Sequence, residues 1–271
     1  MNNLSIFCLS LNPDHLKKIK ELNYIPVGLG EENFNKEWIT DKDNINISQK
    51  NNYYGEYTFH YWLWKNYINE LPKNWIGFCQ YRKFWVNETI IDPLFSFQDL
   101  KNVCLKTILN EDNNYESIIG EPFYVNKFKL SKFIKKGLPS IILNPTLLFN
   151  KNKRTIKFHF DLMHGKGNID KAIALLDEEN RDDFKKYINT NISFHPHNMF
   201  ICKSKKILIS YYETIFPWLL KCENEFGFKT LKGYGMQRIY GFLAERFMSY
   251  WFKKNTKYKI MPIYFKDLSD F

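Results

Sequence analysis

Two hydrogen-bonding side chains and two cations follow directly on a short apolar segment. Residues 75–79 (WIGFC) are predicted to form a buried strand, and the next four residues are Gln80, Tyr81, Arg82 and Lys83. Ligands of open α/β sheets bind at the carboxyl ends of the strands. Because the guanidinium fork donates two parallel hydrogen bonds to phosphate oxygens, Arg82, with Lys83 beside it, could neutralise a diphosphate. A surface or ion-paired arginine is the alternative.

A polar, mostly uncharged cluster precedes this segment. It consists of Asn46, Ser48, Lys50 and Asn51. Their hydroxyl and amide groups suit ribose or sugar hydroxyls, and Lys50 could reach a phosphate. Helix capping is the alternative for two of them, because an asparagine at position 51 or 52 can accept a hydrogen bond from a backbone N–H of the first turn.

The predicted helix after this cluster has two distinct faces. Apolar side chains at positions 57, 61, 64 and 68 recur at helical spacing. Glu56 and His60, four residues apart, share a different face. Pro72 ends the helix. An aromatic core helix is the structural alternative to a functional one.

An acidic pair near residue 42 could bind a divalent cation beside a diphosphate. Asp41 and Asp43 are spaced as a D-x-D pair. The pair precedes a helix instead of ending an apolar strand, so a turn is the alternative. No residue is assigned as a metal ligand, and Mn²⁺ or Mg²⁺ stays open as a cofactor.

The histidines form a second candidate metal site. His195 and His197 are spaced as H-x-H, and Asp161 and His164 could complete a site for Zn or Mn. The proline and Asn198 in the same segment are typical of a turn. This favours hydrogen bonding to a ligand by His197 and Asn198 over metal binding.

These residues fall within an alternation of predicted strands and helices. Strands are predicted at residues 4–11, 24–29, 75–79, 117–120 and 139–143, and helices at residues 14–22, 51–68, 97–109, 169–176, 178–188, 207–223 and 235–253. Their order is that of an α/β protein. No repeat or linker interrupts it, so we predict one domain over residues 1–271.

Cysteine usage and hydropathy indicate a compartment. The five cysteines are scattered, odd in number and without a C-x-x-C pair, which favours a reducing cytoplasm over disulfides or structural zinc. The first residues lack a signal-peptide pattern, and no apolar run reaches the ~20 residues of a membrane span. We expect a soluble, cytoplasmic protein.

The formal charge of +10 calls for an anionic partner. Nucleic acid, an anionic membrane surface and phosphate-bearing small molecules are the three classes. The cations are dispersed and no nucleic-acid-binding module is recognisable, so nucleic acid is not predicted as a partner. The segment 127–136 (KFKLSKFIKK) could form an interfacial helix at a membrane, with a solvated helix as the alternative.

Four blocks of the sequence resemble a known family. They are NISQKNNYYGEYTFHYWLWKN from Asn46, IGFCQYRKF from Ile76, HPHNMF from His195 and RIYGFLAER from Arg238. In this order they match motifs of a bacterial family of capsular and exopolysaccharide biosynthesis proteins. These are regarded as glycosyltransferases and were long catalogued only as a domain of unknown function. The family usually has histidine where this chain has Gln80, so no imidazole role is expected there.

The resemblance implies a fold and a function. The fold is a single-domain α/β, nucleotide-sugar-binding (GT-A-like) fold with a mixed central sheet and flanking helices. The donor-binding half would span about residues 1–125 and the acceptor-side half about 126–271. The function is sugar transfer from a nucleotide-sugar, most simply UDP-linked and with galactofuranose among the candidates, to a growing capsular polysaccharide or lipooligosaccharide. A lipid-linked acceptor would bring the protein to the inner face of the membrane.

Glycosyl transfer assigns roles to the residues above. A carboxylate or imidazole must deprotonate the acceptor hydroxyl, and the candidates are Glu245, then Asp161, then His197. Glu245 stands next to Arg246, so a structural ion pair is the alternative. The donor-binding candidates are Asn46, Ser48, Lys50, Asn51, Gln80, Tyr81, Arg82 and Lys83. The acceptor or sugar-binding candidates are Glu56, His164, Asn198, Arg238 and Arg246.

Other function classes have less support. A basic nucleic-acid-binding protein is the main rival, and a glycoside hydrolase is weaker because no pair of catalytic carboxylates can be placed. The sequence lacks a P-loop, a G-x-G-x-x-G turn, a nucleophile elbow and an H-E-x-x-H motif. The donor sugar, acceptor, linkage, stereochemistry, metal dependence and oligomeric state stay open.

Overall fold

Most of the predicted strands lie in one sheet. The computed structural model describes residues 3–72, 74–91, 93, 96–127 and 146–271. The strands are β1 Leu4–Ser10, β2 Ile25–Gly28, β3 Ile39–Thr40, β4 Trp75–Gln80, β5 Phe84–Trp85, β6 Ser117–Gly120, β7 Phe123–Tyr124, β8 Ser193–Phe194, β9 Phe200–Cys202, β10 Tyr258–Met261 and β11 Ile263–Tyr264. Among these described residues, seven strands form a sheet in the order β10–β6–β9–β4–β1–β2–β3.

One strand of this sheet runs against the others. β1 pairs in parallel with β2 and β4, β2 with β3, and β10 with β6, whereas β9 is antiparallel to both β4 and β6. The carboxyl ends of the other strands therefore share one edge, which we call the carboxyl edge, and β9 begins there. β4 is buried along its whole length, as is usual for a strand covered on both faces.

The described residues also form α-helices. They are α1 Leu16–Glu21, α2 Asn51–Tyr54, α3 Tyr57–Trp62, α4 Phe97–Val103, α5 Thr146–Phe149, α6 Ile156–His164, α7 Asn168–Ala174, α8 Glu178–Thr190, α9 Lys205–Phe226, α10 Tyr234–Gln237 and α11 Ile239–Asn255. Shorter 3₁₀ and π segments include Ser48–Lys50 and Leu63–Tyr67. The predicted α/β fold with a mixed central sheet and flanking helices is confirmed.

The chain divides into two compact units. The first comprises Met1–Glu121, His197–Thr214 and Trp251–Phe271 and contains the seven-stranded sheet. The second comprises Pro122–Pro196 and Ile215–Tyr250 and contains α5 to α8. Each unit is discontinuous in sequence, because α9 and α11 each supply residues to both. The single domain with halves meeting near residue 125 stays a prediction.

Each unit has its own aromatic core. In the first, the Phe7 ring packs on Phe59 and Phe78, with centroids 5.6 and 5.7 Å apart. In the second, Phe247 packs on Phe184 and Trp218 at 5.3 and 5.0 Å. Burial of this aromatic surface is the main stabilising contribution in both units.

The predicted helix over residues 51–68 is interrupted. Gly55 ends α2 with φ 59° and ψ −132°, a conformation that favours glycine, and α3 begins at Tyr57. The predicted N-cap at position 51 or 52 is wrong, because α2 begins at Asn51 and its N-cap is Lys50; the Asn51 amide donates to the Gly55 carbonyl and to Thr58 Oγ1, both at 3.2 Å. His60, one helical turn after Glu56, is fully buried with Nδ1 2.6 Å from the Tyr212 hydroxyl, whereas Glu56 is half-buried.

Two other predicted elements differ from the structure. The helix at residues 97–109 ends at Val103, and the helix at residues 235–253 is divided into α10 and α11 at Arg238. The predicted strand at residues 139–143, and the basic segment 127–136 beyond its first residue, lie outside the described residues. In the described part of the chain, no helix has the length and apolarity needed to cross a membrane.

Candidate functional site

A cleft of about 790 Å³ lies at the carboxyl edge of the sheet. Leu11 follows β1, Leu29 and Gly30 follow β2, and Lys42 follows β3. These residues line the cleft together with Glu31, Glu32, Ser48, Gln49, Asn51 and Asn52. The walls therefore combine apolar side chains with hydroxyl, amide and charged groups. This is the position at which open α/β sheets bind ligands.

Glycine is needed where the chain leaves β2. Gly30 has a φ of 80°, in the left-handed region that favours glycine. A Cβ atom there would also lie 3.3 Å from the Leu11 side chain. A larger residue at position 30 would strain the turn and press on the wall of the cleft.

The predicted polar cluster borders this cleft. Ser48 and Asn51 line it. Asn46 supports Ser48, because its Oδ1 accepts hydrogen bonds from the Ser48 backbone N–H at 3.2 Å and from Ser48 Oγ at 2.9 Å. Asn46 Nδ2 also donates to the Lys42 carbonyl at 2.7 Å. Lys50 is half-buried at the end of the 3₁₀ turn and is not among the lining residues.

Asp41, next to the cleft residue Lys42, is completely buried. Neither of its carboxylate oxygens has a hydrogen-bond partner among the described residues. The neighbouring Thr58 hydroxyl donates to the Gly55 carbonyl at 3.1 Å. Burial raises the pKa of Asp41, and proximity to Thr58 and Lys42 opposes this increase.

Gln80 joins three segments at the carboxyl edge. Its Nε2 donates to Glu56 Oε1 at 2.7 Å and to the His197 carbonyl at 3.0 Å. Its Oε1 accepts a hydrogen bond from Lys83 Nζ at 2.8 Å. The structure thus brings together four predicted site residues: Glu56, Gln80, Lys83 and His197. Gln80 is almost fully buried, so these bonds satisfy its amide.

The two residues after Gln80 differ in exposure. Tyr81 is half-buried and is held by the backbone, its N–H donating to the Leu9 carbonyl at 2.9 Å. Arg82 is exposed, and its guanidinium lies 4.9 Å from the centroid of the Tyr81 ring. A cation–π contact of this kind leaves guanidinium N–H groups for an anionic ligand.

His197 and Asn198 form a strained turn beside Gln80. Their φ angles are 81° and 53°, in a region that costs a non-glycine residue energy. Burial, with Lys83 nearby, lowers the pKa of His197 to about 3. The ring is therefore neutral but weakly basic at pH 7, and the weak basicity favours hydrogen bonding over proton abstraction for this residue.

The metal-site candidates do not converge. Among the described residues, no three histidine, cysteine, aspartate or glutamate side chains are placed to hold one ion. Asp41 is buried whereas Asp43 is exposed. The D-x-D pair therefore does not fit a divalent ion in this arrangement, and the Mn²⁺ or Mg²⁺ hypothesis stays a prediction.

Glu245 forms an ion pair in the second unit. Its Oε2 lies 2.5 Å from Arg246 Nη1, and Arg246 is almost completely buried. Arg246 Nη2 lies 3.2 Å from His159 Nδ1 and 3.4 Å from His164 Nε2, and the guanidinium stacks 4.3 Å over Phe194. Burial lowers the pKa of Arg246, and Glu245 opposes this decrease. The arrangement supports the ion-pair alternative for Glu245.

The other predicted residues of the second unit also have structural partners. Asp161 accepts hydrogen bonds from Lys157 Nζ and from the Gly167 N–H, both at 3.0 Å. His164 Nδ1 donates to the Gly235 carbonyl at 2.8 Å. Arg238 lies with its guanidinium 5.8 Å from the Tyr234 ring centroid. The Asp161 and His164 contacts connect α6 to segments that follow it in the chain.

Several cleft residues were not predicted from the sequence. Leu11, Leu29, Gly30, Glu31 and Lys42 follow strand ends and line the cleft. The sequence does contain a signal for them, because the predicted strands end at residues 11 and 29 and ligands of open α/β sheets bind at the carboxyl ends of strands.

Comparisons with known proteins identify a family and a solved structure with a similar fold. The model of a family described as "Domain of unknown function (DUF4422)" matches residues 9–256. No curated protein matches the sequence. The fold is similar to that of a solved structure described as "WbbM bifunctional glycosytransferase apo structure", with a TM-score of 0.68 and 18% identity over 98% of this chain and 45% of that one. The chain thus spans less than half the length of that protein and shares its fold.

Proposed function

The chain belongs to the DUF4422 family, and we propose that it is a glycosyltransferase that uses a nucleotide-sugar donor. The observation that carries this proposal is the polar cleft at the ends of β1, β2 and β3. Its volume of about 790 Å³ is within the range of sites for small molecules and cofactors. The fold shared with a bifunctional glycosyltransferase supports it.

The donor would bind with its nucleoside in the cleft. Ser48 and Asn51 offer hydroxyl and amide groups to ribose, and Glu31 and Glu32 offer carboxylates that accept from sugar hydroxyls. Arg82 and Lys83, at the end of the adjacent β4, would stabilise the leaving diphosphate. A UDP-linked sugar, galactofuranose among the candidates, is the proposed donor.

The acceptor would be a growing capsular polysaccharide or lipooligosaccharide. This part of the proposal rests on the four sequence blocks that resemble polysaccharide biosynthesis proteins. A formal charge of +10 is compatible with contact to an anionic membrane surface, where lipid-linked acceptors are found.

Calorimetric titration with UDP tests the proposal. We expect saturable binding that persists in EDTA and weakens in Arg82→Ala, because the cationic strand end would replace a metal at the diphosphate. Lys17→Ala, which removes an exposed cation on α1, is the control and should bind as the wild type does. If UDP binding required Mn²⁺, a metal ion would neutralise the diphosphate in place of Arg82. The absence of nucleotide binding would contradict the proposal.

A further inference from the structure

The Gln80 side chain fixes the position of one carboxylate. Each polar atom of its amide is engaged: Nε2 with Glu56 Oε1 and the His197 carbonyl, and Oε1 with Lys83 Nζ, at distances of 2.7 to 3.0 Å. The three partners come from three separate segments of the first unit. Gln80 is itself the last residue of β4, in register with Leu9 of β1, two residues before the cleft residue Leu11.

The two distant segments that contact the Gln80 side chain have unusual backbone conformations. Gly55, directly before Glu56, has φ 59° and ψ −132°, which breaks the helix and starts α3 immediately after the carboxylate. His197 and Asn198 both have positive φ values. Strained backbone persists only where the surrounding structure imposes it, and it is concentrated at functional sites.

The other candidate bases are engaged elsewhere. Glu245 is paired with the buried Arg246. Asp161 holds Lys157 and the Gly167 N–H. His197 is neutral and weakly basic because it is buried. Glu56 differs from Glu245 and Asp161, which belong to the second unit, because Gln80 holds it at the carboxyl edge, and it differs from His197 because it is a carboxylate.

We propose that Glu56 is the catalytic base of the transfer reaction and that Gln80 is its positioning residue. The inference rests on the proposed function and deepens it. The Glu56 carboxylate takes the proton of the acceptor hydroxyl as the acceptor oxygen bonds to the anomeric carbon of the donor. The bond from that carbon to the diphosphate oxygen breaks, and the nucleoside diphosphate leaves with the electron pair. A single displacement of this kind inverts the anomeric configuration.

The test measures UDP binding and UDP release together. Release is followed from UDP-glucose, UDP-galactose, UDP-galactofuranose and UDP-N-acetylglucosamine, with water as the acceptor. For Glu56→Gln we expect UDP affinity to be kept and turnover to fall by about 100-fold or more, the usual contribution of a general base. Glu70→Gln, an exposed change outside the site, is the matched control and should match the wild type.

A double-mutant cycle tests the role of Gln80. Gln80→Met should lower kcat by about tenfold, and it should have no further effect on kcat in the Glu56→Gln background, because residues that act as a unit are not additive. Additive losses of kcat in the double variant, or full turnover by Glu56→Gln, would overturn the roles of Glu56 and Gln80 and leave the proposed function standing. A wild-type protein that neither binds UDP nor releases it from any donor would overturn the proposed function instead.

Discussion

Arg246 Nη1 lies 2.5 Å from Glu245 Oε2 in the second unit, and the arginine is 2% exposed. The same guanidinium reaches His159 and His164 through Nη2. A charge this deeply buried depends on its partner. Arg246 therefore holds α11 on α6, and Glu245 supplies its counter-charge.

Removing one member of this pair should destabilise the fold. We expect Glu245→Gln to lower the free energy of unfolding by about 3 kcal/mol, because the substitution leaves a buried guanidinium without its counter-charge. Urea denaturation measures the change. Glu37→Gln, which removes the exposed partner of Lys20, is the matched control and should cost less than about 1 kcal/mol. Equal effects of the two substitutions would contradict a structural role for Glu245.

Asp41 should make the protein less stable when it ionises. Burial raises its pKa above the ordinary value of 3.8, so the folded protein binds this proton more tightly than the unfolded chain does. The stability that the folded protein gains from binding this proton is present below pH 3.8 and is lost as the pH rises through the raised pKa. Asp41→Asn, which cannot ionise, should therefore be more stable than the wild type at pH 7.

Urea denaturation of both proteins at several pH values checks this prediction. The stability difference between Asp41→Asn and the wild type should grow from pH 4 upward and then level off. If the variant were the less stable protein at pH 7, ionised Asp41 would have to make a favourable contact in the fold.

Two buried histidines and the half-buried His197 should make the fold sensitive to acid. Burial lowers the pKa of His60 to about 3, and burial with the nearby Arg246 or Lys83 lowers those of His159 and His197 to about 2 and about 3. The stability that they contribute is complete above pH 6.5 and is lost as the pH falls toward these values. The loss should reach up to about 1.4 kcal/mol per pH unit for each ring.

NMR of the imidazole resonances and urea denaturation between pH 7 and pH 5 measure this effect. None of the three rings should titrate in the folded protein over this range, while the free energy of unfolding declines. An imidazole of His60, His159 or His197 that titrated near pH 6.5 would contradict the burial of that ring.

Ser48 should contribute to nucleotide affinity. Its hydroxyl lines the cleft and donates to Asn46 Oδ1 at 2.9 Å, which leaves its lone pairs for a ligand donor. Loss of one such hydrogen bond is worth about 1 kcal/mol, so Ser48→Ala should weaken UDP binding about fivefold in calorimetry. Ser210→Ala, on the exposed side of α9, should not change the affinity. Unchanged binding by Ser48→Ala would place the nucleoside elsewhere.

The sequence alone was sufficient for the parts of the molecule that depend on local pattern. The apolar runs at residues 4–11, 24–29 and 75–79 predicted β1, β2 and β4, because an uninterrupted apolar segment is stable only as a buried strand or helix. The same pattern placed Gln80, Arg82 and Lys83 at a strand end. The motif blocks predicted a family long catalogued as a domain of unknown function, and the chain belongs to such a family over residues 9–256, while the capsular role stays a prediction.

Only the tertiary structure decided which side chains meet. Glu56, Gln80 and His197 are up to 141 positions apart in the chain, and their contact depends on β9 running antiparallel to β4, which no local pattern encodes. Likewise, periodicity alone predicted one continuous helix over residues 51–68, whereas the chain breaks at Gly55 and buries His60 against Tyr212. A single glycine with positive φ redirects a helix, and the packing of distant elements determines whether the chain bends there.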